Sequence, residues 1–195
     1  QKYGGASQGD MLITCATIAQ SYLLLITSPM IGISGGTQAI LSYNYGARCV
    51  NRVKDAERNI LGVMLIFTTI MFLLSRFIPR YFVLLFTTDP QYIRFSVWVI
   101  RTYTLMIIPL SFQYVFVDGL TALECPKTGL ALSVTRKSLF VISAAVLPFF
   151  FGAKAAFFAE PVADGISSVL STIVFLLLIN RHLDKRCRMD KKESL

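Results

Sequence analysis

Ionisable side chains inside long apolar runs are the residues of this chain that could do chemistry, because a buried charge is costly in a membrane. Arg101 lies about two helical turns inside such a run, with Gln113 and then Asp118 further along it. Glu160 and Asp164 are four residues apart and therefore share one face of a helix. We treat these five residues as candidates for an ion or substrate pathway.

Each charged candidate allows two interpretations. Glu160 and Asp164 form either a cation or substrate gate, or a charged helix start that the macrodipole favours and Pro161 suits. Arg101 either neutralises one of those two acids across a helical bundle or extends outward to water, as its length permits. Asp118 is interpreted as a charge at the cytoplasmic end of a helix, with a coupling site as the alternative.

This sequence lacks the residue patterns that enzymatic chemistry would need. The four cysteines lie far apart and there is one histidine, so we expect no metal site and no disulfide framework. Neither an Asp-rich metal motif nor a His-Glu-x-x-His helix is present, as a membrane-embedded transferase or protease would require. We predict no enzymatic activity and no cofactor.

The composition is that of a membrane protein. Hydrophobic residues make up 54% of the 195 positions and charged residues 15%, whereas soluble domains carry charges on about a quarter of positions. A spanning helix needs about 20 mostly apolar residues, so this length allows at most about six spans. The prediction is an all-α, polytopic membrane helical bundle with no soluble domain.

Apolar runs predict five spans, near residues 11–45, 59–79, 92–119, 130–151 and 155–179. The first run is rich in small and polar residues, which places it inside a bundle, with a kink at Pro29. Pro109 is expected to bend the third span. Residues 48–58 and 124–129 are predicted to be loops, the second from its turn residues.

The net charge of +8 is distributed unevenly along the chain. Assigning loops alternately to the two sides places thirteen of the 19 Lys and Arg residues on one side and six on the other. Since basic residues accumulate on the cytoplasmic side, we predict a cytoplasmic C-terminus, a basic tail at 180–195 and an outer N-terminus. The membrane accounts for this charge, so no nucleic-acid partner is expected.

Residues 32–48 closely resemble a signature of the multidrug and toxic compound extrusion (MATE) family, in its bacterial DNA-damage-inducible and MepA-like branch. Ala39 stands where that family usually has Pro, and Glu124 stands where it usually has Gly. Segments 85–90 and 159–164 also resemble the family. The motif residues that we expect to serve helix packing are Gly32, Gly36, Gln38, Ser42, Tyr43, Asn44, Tyr45 and Gly46.

The resemblance implies a twelve-helix transporter of two lobes, in which residues 1–195 are helices eight to twelve of the C-terminal lobe. It implies export of organic cations or drugs in antiport with H+ or Na+, by alternating access, across a bacterial inner membrane. The implied partners are the lipid bilayer, the missing N-terminal lobe and small amphipathic or cationic substrates. The protonatable Asp usually proposed in that branch lies on helix one, which these residues do not include.

Two alternatives stay open at this point. A lipid-linked glycan flippase of the same superfamily would need a strongly cationic cavity to hold a pyrophosphate, and Arg101 is the only basic side chain expected to lie deep. The other alternative is a truncated piece without activity, because alternating access needs two lobes.

Overall fold

The computed structural model describes the backbone of residues 5–193 and the side chains of residues 9–179. The described backbone is helical almost throughout and contains no strand. The elements in order are α1 (Gly5–Gly46), α2 (Val50–Phe77), α3 (Pro79–Val83), α4 (Pro90–Tyr103), α5 (Ile107–Ala122), α6 (Pro126–Phe151), a 3-10 turn (Ala153–Phe158) and α7 (Ala159–Glu193).

Several of these helices are long and apolar enough to cross a bilayer. Four described stretches meet that condition, namely Gly9–Gly46, Val50–Phe77, Pro126–Phe151 and Ala153–Ile179. Helices α4 and α5 meet it together as one broken span, with a 46° bend between them. The predicted all-α membrane bundle is confirmed, with four such helices, or five crossings when the bent pair is counted as one.

Two predicted loops are wrong because the helices begin earlier than their apolar runs. Helix α2 starts at Val50, so the charged residues up to Arg58 form its first turns and the connection is only 47–49. Lys, Arg and Glu are good helix formers, so an apolar pattern marks the membrane part of a helix rather than its ends. Helix α6 starts at Pro126, a residue suited to the first helical position, which makes 127–129 helical as well.

The bend in the third span lies at residues 104–106, just before Pro109. A proline lacks an N–H group, and its ring clashes with the carbonyl of the residue four positions earlier, here Leu105. The structure therefore ends α4 at Tyr103 and restarts the helix so that Pro109 falls in the first turn of α5, where its missing N–H group leaves no hydrogen bond broken.

Helix α5 is the centre of the bundle and packs against α1, α2, α6 and α7. The Ser111 hydroxyl of α5 shares a hydrogen bond of 2.8 Å with the Thr68 hydroxyl of α2, and Thr104, just before α5, donates to Ser75 of α2 at 2.9 Å. The order of these pairs shows that α2 and α5 run antiparallel. Phe116 stacks on Phe175 of α7, with ring centroids 4.3 Å apart. Interhelical hydrogen bonds of this kind replace the hydrophobic drive, which is weak in lipid.

Helices α5 and α6 approach closely at Gly129. A Cβ atom at this position would lie 2.9 Å from the Thr121 Oγ1 atom and 3.1 Å from the Val117 carbonyl oxygen. The glycine that we assigned to a turn therefore permits a tight helix crossing. One face of α6 is exposed, with Leu130, Val141 and Phe149 to Phe151 on it, whereas Leu132 and Arg136 are buried.

The two ends of the chain extend two of these helices. Helix α1 continues through Pro29 as one element to Gly46, as predicted. The predicted basic tail, 180–195, is helical in its backbone as far as Glu193, while its side chains lie outside the described residues.

Candidate functional site

A buried ion cluster joins α6 to α7. Arg136 donates from Nε to the Asp164 Oδ1 atom at 2.8 Å and from Nη2 to the Glu160 Oε1 atom at 3.4 Å. All three residues are buried, with exposed fractions of 9% for Arg136, 7% for Glu160 and 1% for Asp164. One arginine thus bridges two acids that lie one turn apart on α7.

The cluster lies deep in the bundle. Arg136 is ten residues beyond the start of α6 at Pro126, which corresponds to about 15 Å of helix. Asp164 is similarly central in the apolar stretch Ala153–Ile179. Both residues therefore lie well inside helices that are long enough to cross a bilayer. An ionisable group at this depth is a functional-site candidate by default, because burying it is costly.

Aromatic and polar side chains of α4 and α5 surround the cluster. The Arg136 guanidinium carbon lies 5.8 Å from the centroid of the Tyr114 ring, a cation–π distance. Tyr103 is close enough to Glu160 to interact with it electrostatically. The Oδ2 atom of Asp164 is buried and accepts no hydrogen bond from the described residues. The cluster therefore retains one acceptor that an added cation or proton could use.

Gln113 lies next to this cluster on α5, one residue before Tyr114. It is 4% exposed, and its Oε1 atom accepts a hydrogen bond of 3.1 Å from Ser171 of α7. Ser167 and Ser168 are also buried, and their hydroxyls bond the Asp164 carbonyl oxygen. Small hydroxyl side chains let α7 approach α5 closely. The structure thus brings Gln113, Glu160 and Asp164 to the contact among α5, α6 and α7.

Arg101 is not part of that cluster, so the proposed pairing with Glu160 or Asp164 is wrong. Its side chain is exposed, and Nη2 donates to the Arg76 carbonyl oxygen in the last turn of α2 at 2.8 Å. The last carbonyls of a helix lack intrahelical partners and carry partial negative charge, so a cation there is favourable. The second interpretation, in which the side chain extends outward, agrees with this geometry.

We expect Arg101→Gln to lower the free energy of unfolding by about 1 kcal/mol or less, because only one exposed contact to a helix end is lost. The measurement is a denaturant titration of the chain in micelles, followed by circular dichroism. Arg80→Gln, at another exposed arginine, is the matched control. A loss of several kcal/mol in Arg101→Gln would show that Arg101 has a partner deeper in the bundle.

Polar residues of the MATE-like segment connect α1 to α5. The Ser34 hydroxyl lies 3.0 Å from the Tyr114 carbonyl oxygen and shares its one proton between that oxygen and the Asp118 carboxylate. Gln38 donates to the Asp118 carbonyl oxygen at 3.5 Å, and Ser42 donates to that of Ala122 at 3.4 Å. Donors and acceptors both advance by four residues, so α1 and α5 run parallel. The packing role predicted for Gln38 and Ser42 matches these contacts.

The glycines of the same segment do not pack within the described bundle, contrary to our expectation. A Cβ atom at Gly32, Gly36 or Gly46 would meet nothing within 4 Å. These glycines lie on an exposed face of α1, as does Tyr43, which is 76% exposed. The small residues of α1 indicate that this helix packs against others. They do not indicate which face of α1 contacts the described helices.

Two further motif residues, Asn44 and Tyr45, lie near the end of α1, and the candidate Asp118 lies near the end of α5. Asn44 donates to the Ile40 carbonyl oxygen of its own helix at 2.8 Å, and Tyr45 is buried. Asp118 is half-buried four residues before the end of α5 and accepts a hydrogen bond from the Ser34 hydroxyl. The side chain predicted at a helix end is therefore engaged by α1.

Two functional candidates, Arg136 and Glu57, were not predicted from the sequence. Arg136 lies within the predicted span 130–151 but was counted together with Lys137 among the cytoplasmic-side cations, whereas in the structure Arg136 is buried and Lys137 exposed. Glu57 was assigned to a loop, although it is 6% exposed inside the bundle. Helical periodicity extended back to Val50 would have placed Glu57 on the buried face of α2, with Val53 and Ile60.

Comparisons with known proteins agree with this architecture. The family described as MatE matches residues 5–147. An FAD transporter of Shewanella oneidensis (strain MR-1) is 26% identical over 149 residues, which is 76% of this chain and 32% of that protein.

Two solved structures show the same fold. An inward-facing multidrug resistance MATE family transporter of the MOP superfamily superimposes with a TM-score of 0.83 at 15% identity, over 93% of this chain and 42% of its own. The MATE multidrug transporter DinF-BH, solved with a bound ligand, gives a TM-score of 0.75 at 28% identity, over 84% of this chain and 36% of its own. This chain thus spans well under half the length of these relatives. From the family match and these structures together, the chain belongs to the MatE family, whose members are transporters and not enzymes.

Proposed function

We propose that this chain is the C-terminal lobe, without its first helix, of a transporter that exports organic cations or drugs in exchange for H+ or Na+. The proposal also places it in a bacterial inner membrane with the C-terminus inside, and gives it the N-terminal lobe as a partner. The family match supports transport, and the coverage of 32% to 42% of the relatives supports a single lobe. By this proposal, residues 1–195 alone do not transport.

The ion cluster of Arg136, Glu160 and Asp164 is the observation that carries the proposal. One positive charge faces two negative ones, which leaves a formal net charge of one negative. A buried excess anion attracts a proton, a metal cation or an organic cation, and exchange among them at one place couples their movements. The Tyr114 ring beside the cluster offers a face to a flat cation.

FAD export is the second candidate, favoured by the match to the Shewanella oneidensis protein. A flavin dinucleotide carries a negatively charged diphosphate, which needs basic side chains that are free to bind it. Among the side chains that the structure describes, Arg136 is the buried basic residue, and it already bonds two acids. The charge balance of the described residues therefore favours a cationic cargo over FAD.

The same balance argues against a lipid-linked glycan flippase. Its pyrophosphate would require a strongly cationic cavity, and we had expected Arg101 to be the only deep basic residue. Arg101 is exposed, whereas Arg136 is deep but neutralised by its acidic partners. Arg136 and Lys137 lie ten and eleven residues beyond the start of α6, so taking both out of the loop tally lowers the count on the proposed cytoplasmic side from thirteen to eleven, against six opposite.

The test uses the complete protein that contains this chain, expressed in cells lacking their own drug exporters. We expect ethidium to accumulate less than in empty cells, and the difference to vanish when the ion gradient is collapsed. Asp164→Asn should reduce export by about tenfold or more, equivalent to about 1.4 kcal/mol. Asp55→Asn, an exposed acid on α2, is the matched control and should export normally. Gradient-dependent release of FAD without ethidium export would favour the second candidate instead.

A further inference from the structure

Glu57 of α2 is a buried acid that takes no part in the cluster around Arg136. It lies seven residues beyond the start of α2 at Val50, or about 10 Å along the helix. Its exposed fraction is 6%, and its Oε1 atom accepts no hydrogen bond from the described residues. Most buried polar atoms have a hydrogen-bond partner, so this oxygen calls for an explanation.

The Glu57 carboxylate occupies space that a glycine of α5 leaves open. A Cβ atom at Gly119 would lie 2.5 Å from the Glu57 Oε1 atom and 3.1 Å from Oε2, closer than such atoms approach. Any larger residue at 119 would therefore displace the carboxylate. The acid is held against the α5 backbone at the residue next to Asp118, which accepts a hydrogen bond from Ser34 of α1.

Neither acid has a cationic partner among the described side chains. Arg136 forms its ion pairs with Glu160 and Asp164, and no ion pair links a described residue to Glu57 or Asp118. The basic residues nearest in sequence, Arg52, Lys54 and Arg58, lie on the exposed face of α2. Negative charges on both the buried Glu57 and the neighbouring, half-buried Asp118 would be strongly unfavourable.

We propose that Glu57 and Asp118 form a proton-binding site between α2 and α5, in which Glu57 holds the proton and Asp118 is the acid facing it. Binding converts the Glu57 carboxylate to a carboxylic acid and requires no other reactant. Helix α1 contributes the neutral Ser34 hydroxyl to this site, and that hydroxyl donates to the Asp118 carboxylate. This site is separate from the Arg136 cluster and does not depend on the proposed exchange of cargo.

Infrared spectroscopy of the chain in lipid nanodiscs at neutral pH tests the proposal, because a protonated carboxylic acid has its own carbonyl stretch. We compare the wild type with Glu57→Gln, which keeps the side-chain size, and with Asp55→Asn, the exposed acid on the same helix. We expect Glu57→Gln to remove one carboxylic acid band and Asp55→Asn to leave it unchanged. Circular dichroism verifies that each variant keeps its helical content.

An unchanged carboxylic acid region in folded Glu57→Gln would overturn the proposal. A sodium-dependent change in carboxylate bands that requires Glu57, with no acid band before sodium is added, would also overturn it, since the occupant would then be a metal cation. If Glu57→Gln does not fold, Asp118→Asn provides the second comparison. It should perturb the frequency of the Glu57 band, and an unaltered band would contradict the pairing of the two acids.

Discussion

Replacing Arg136 with methionine will lower the free energy of unfolding by about 3–5 kcal/mol, the usual cost of leaving buried charges without their partner. The substitution strands Glu160 and Asp164 inside the bundle, where they are only 7% and 1% exposed. The measurement is a denaturant titration in mixed micelles, followed by circular dichroism. Lys137→Met is the matched control, because it removes the same charge one residue later from an exposed position. We expect it to change stability by about 0.5 kcal/mol or less.

A combined variant separates charge from packing at this site. Adding Glu160→Met and Asp164→Leu to Arg136→Met removes the stranded charges, and apolar replacements of buried ion groups are often neutral or stabilising. We expect the triple variant to regain most of the stability that Arg136→Met loses. Equal losses in Arg136→Met and Lys137→Met, or a triple variant as unstable as the single one, would contradict the buried ion cluster.

Gly119→Ala is expected to destabilise the bundle by about 1–3 kcal/mol through overpacking. Its new methyl group would lie 2.5 Å from the Glu57 Oε1 atom, so the carboxylate, which is buried, has to move. Gly62→Ala on α2 is the matched control, since a Cβ atom there meets nothing within 4 Å. An alanine at such an open helical position should be neutral or stabilising by up to about 1 kcal/mol. The same micelle titration measures both variants.

The Glu57→Ala background identifies the cause of the Gly119→Ala effect. Removing the carboxylate removes the clash, so Gly119→Ala should cost much less in Glu57→Ala than in the wild type. Residues in contact show coupling of about 0.5–3 kcal/mol in such a double-mutant cycle. Purely additive effects of the two substitutions would show that the carboxylate does not fill the space beside Gly119.

The sequence predicted the membrane bundle well because its apolar runs are long. A run such as 59–79 can only be a buried or spanning helix, whatever its neighbours are. Helix ends were less predictable, since polar helix formers extend α2 back to Val50 and Pro126 opens α6 instead of ending a loop. The bend before Pro109 followed from the chemistry of proline alone.

The site was less predictable because partner choice depends on how helices are rotated against one another. Glu160 and Asp164 were found from their spacing, yet their partner is Arg136 of the preceding helix and not Arg101. Whether a basic residue in the first turns of a helix faces water or the bundle depends on contacts that composition does not contain. The adjacent pair Arg136 and Lys137, one buried and one exposed, illustrates this difference.

The most direct test of the proposed cation exchange is transport by the complete protein in proteoliposomes with an imposed H+ or Na+ gradient. We predict that one of the two gradients drives movement of an organic cation, and that Asp164→Asn abolishes it while Asp55→Asn does not. Undiminished gradient-driven transport in Asp164→Asn, or transport of FAD but of no organic cation, would contradict cation exchange at the Arg136 cluster.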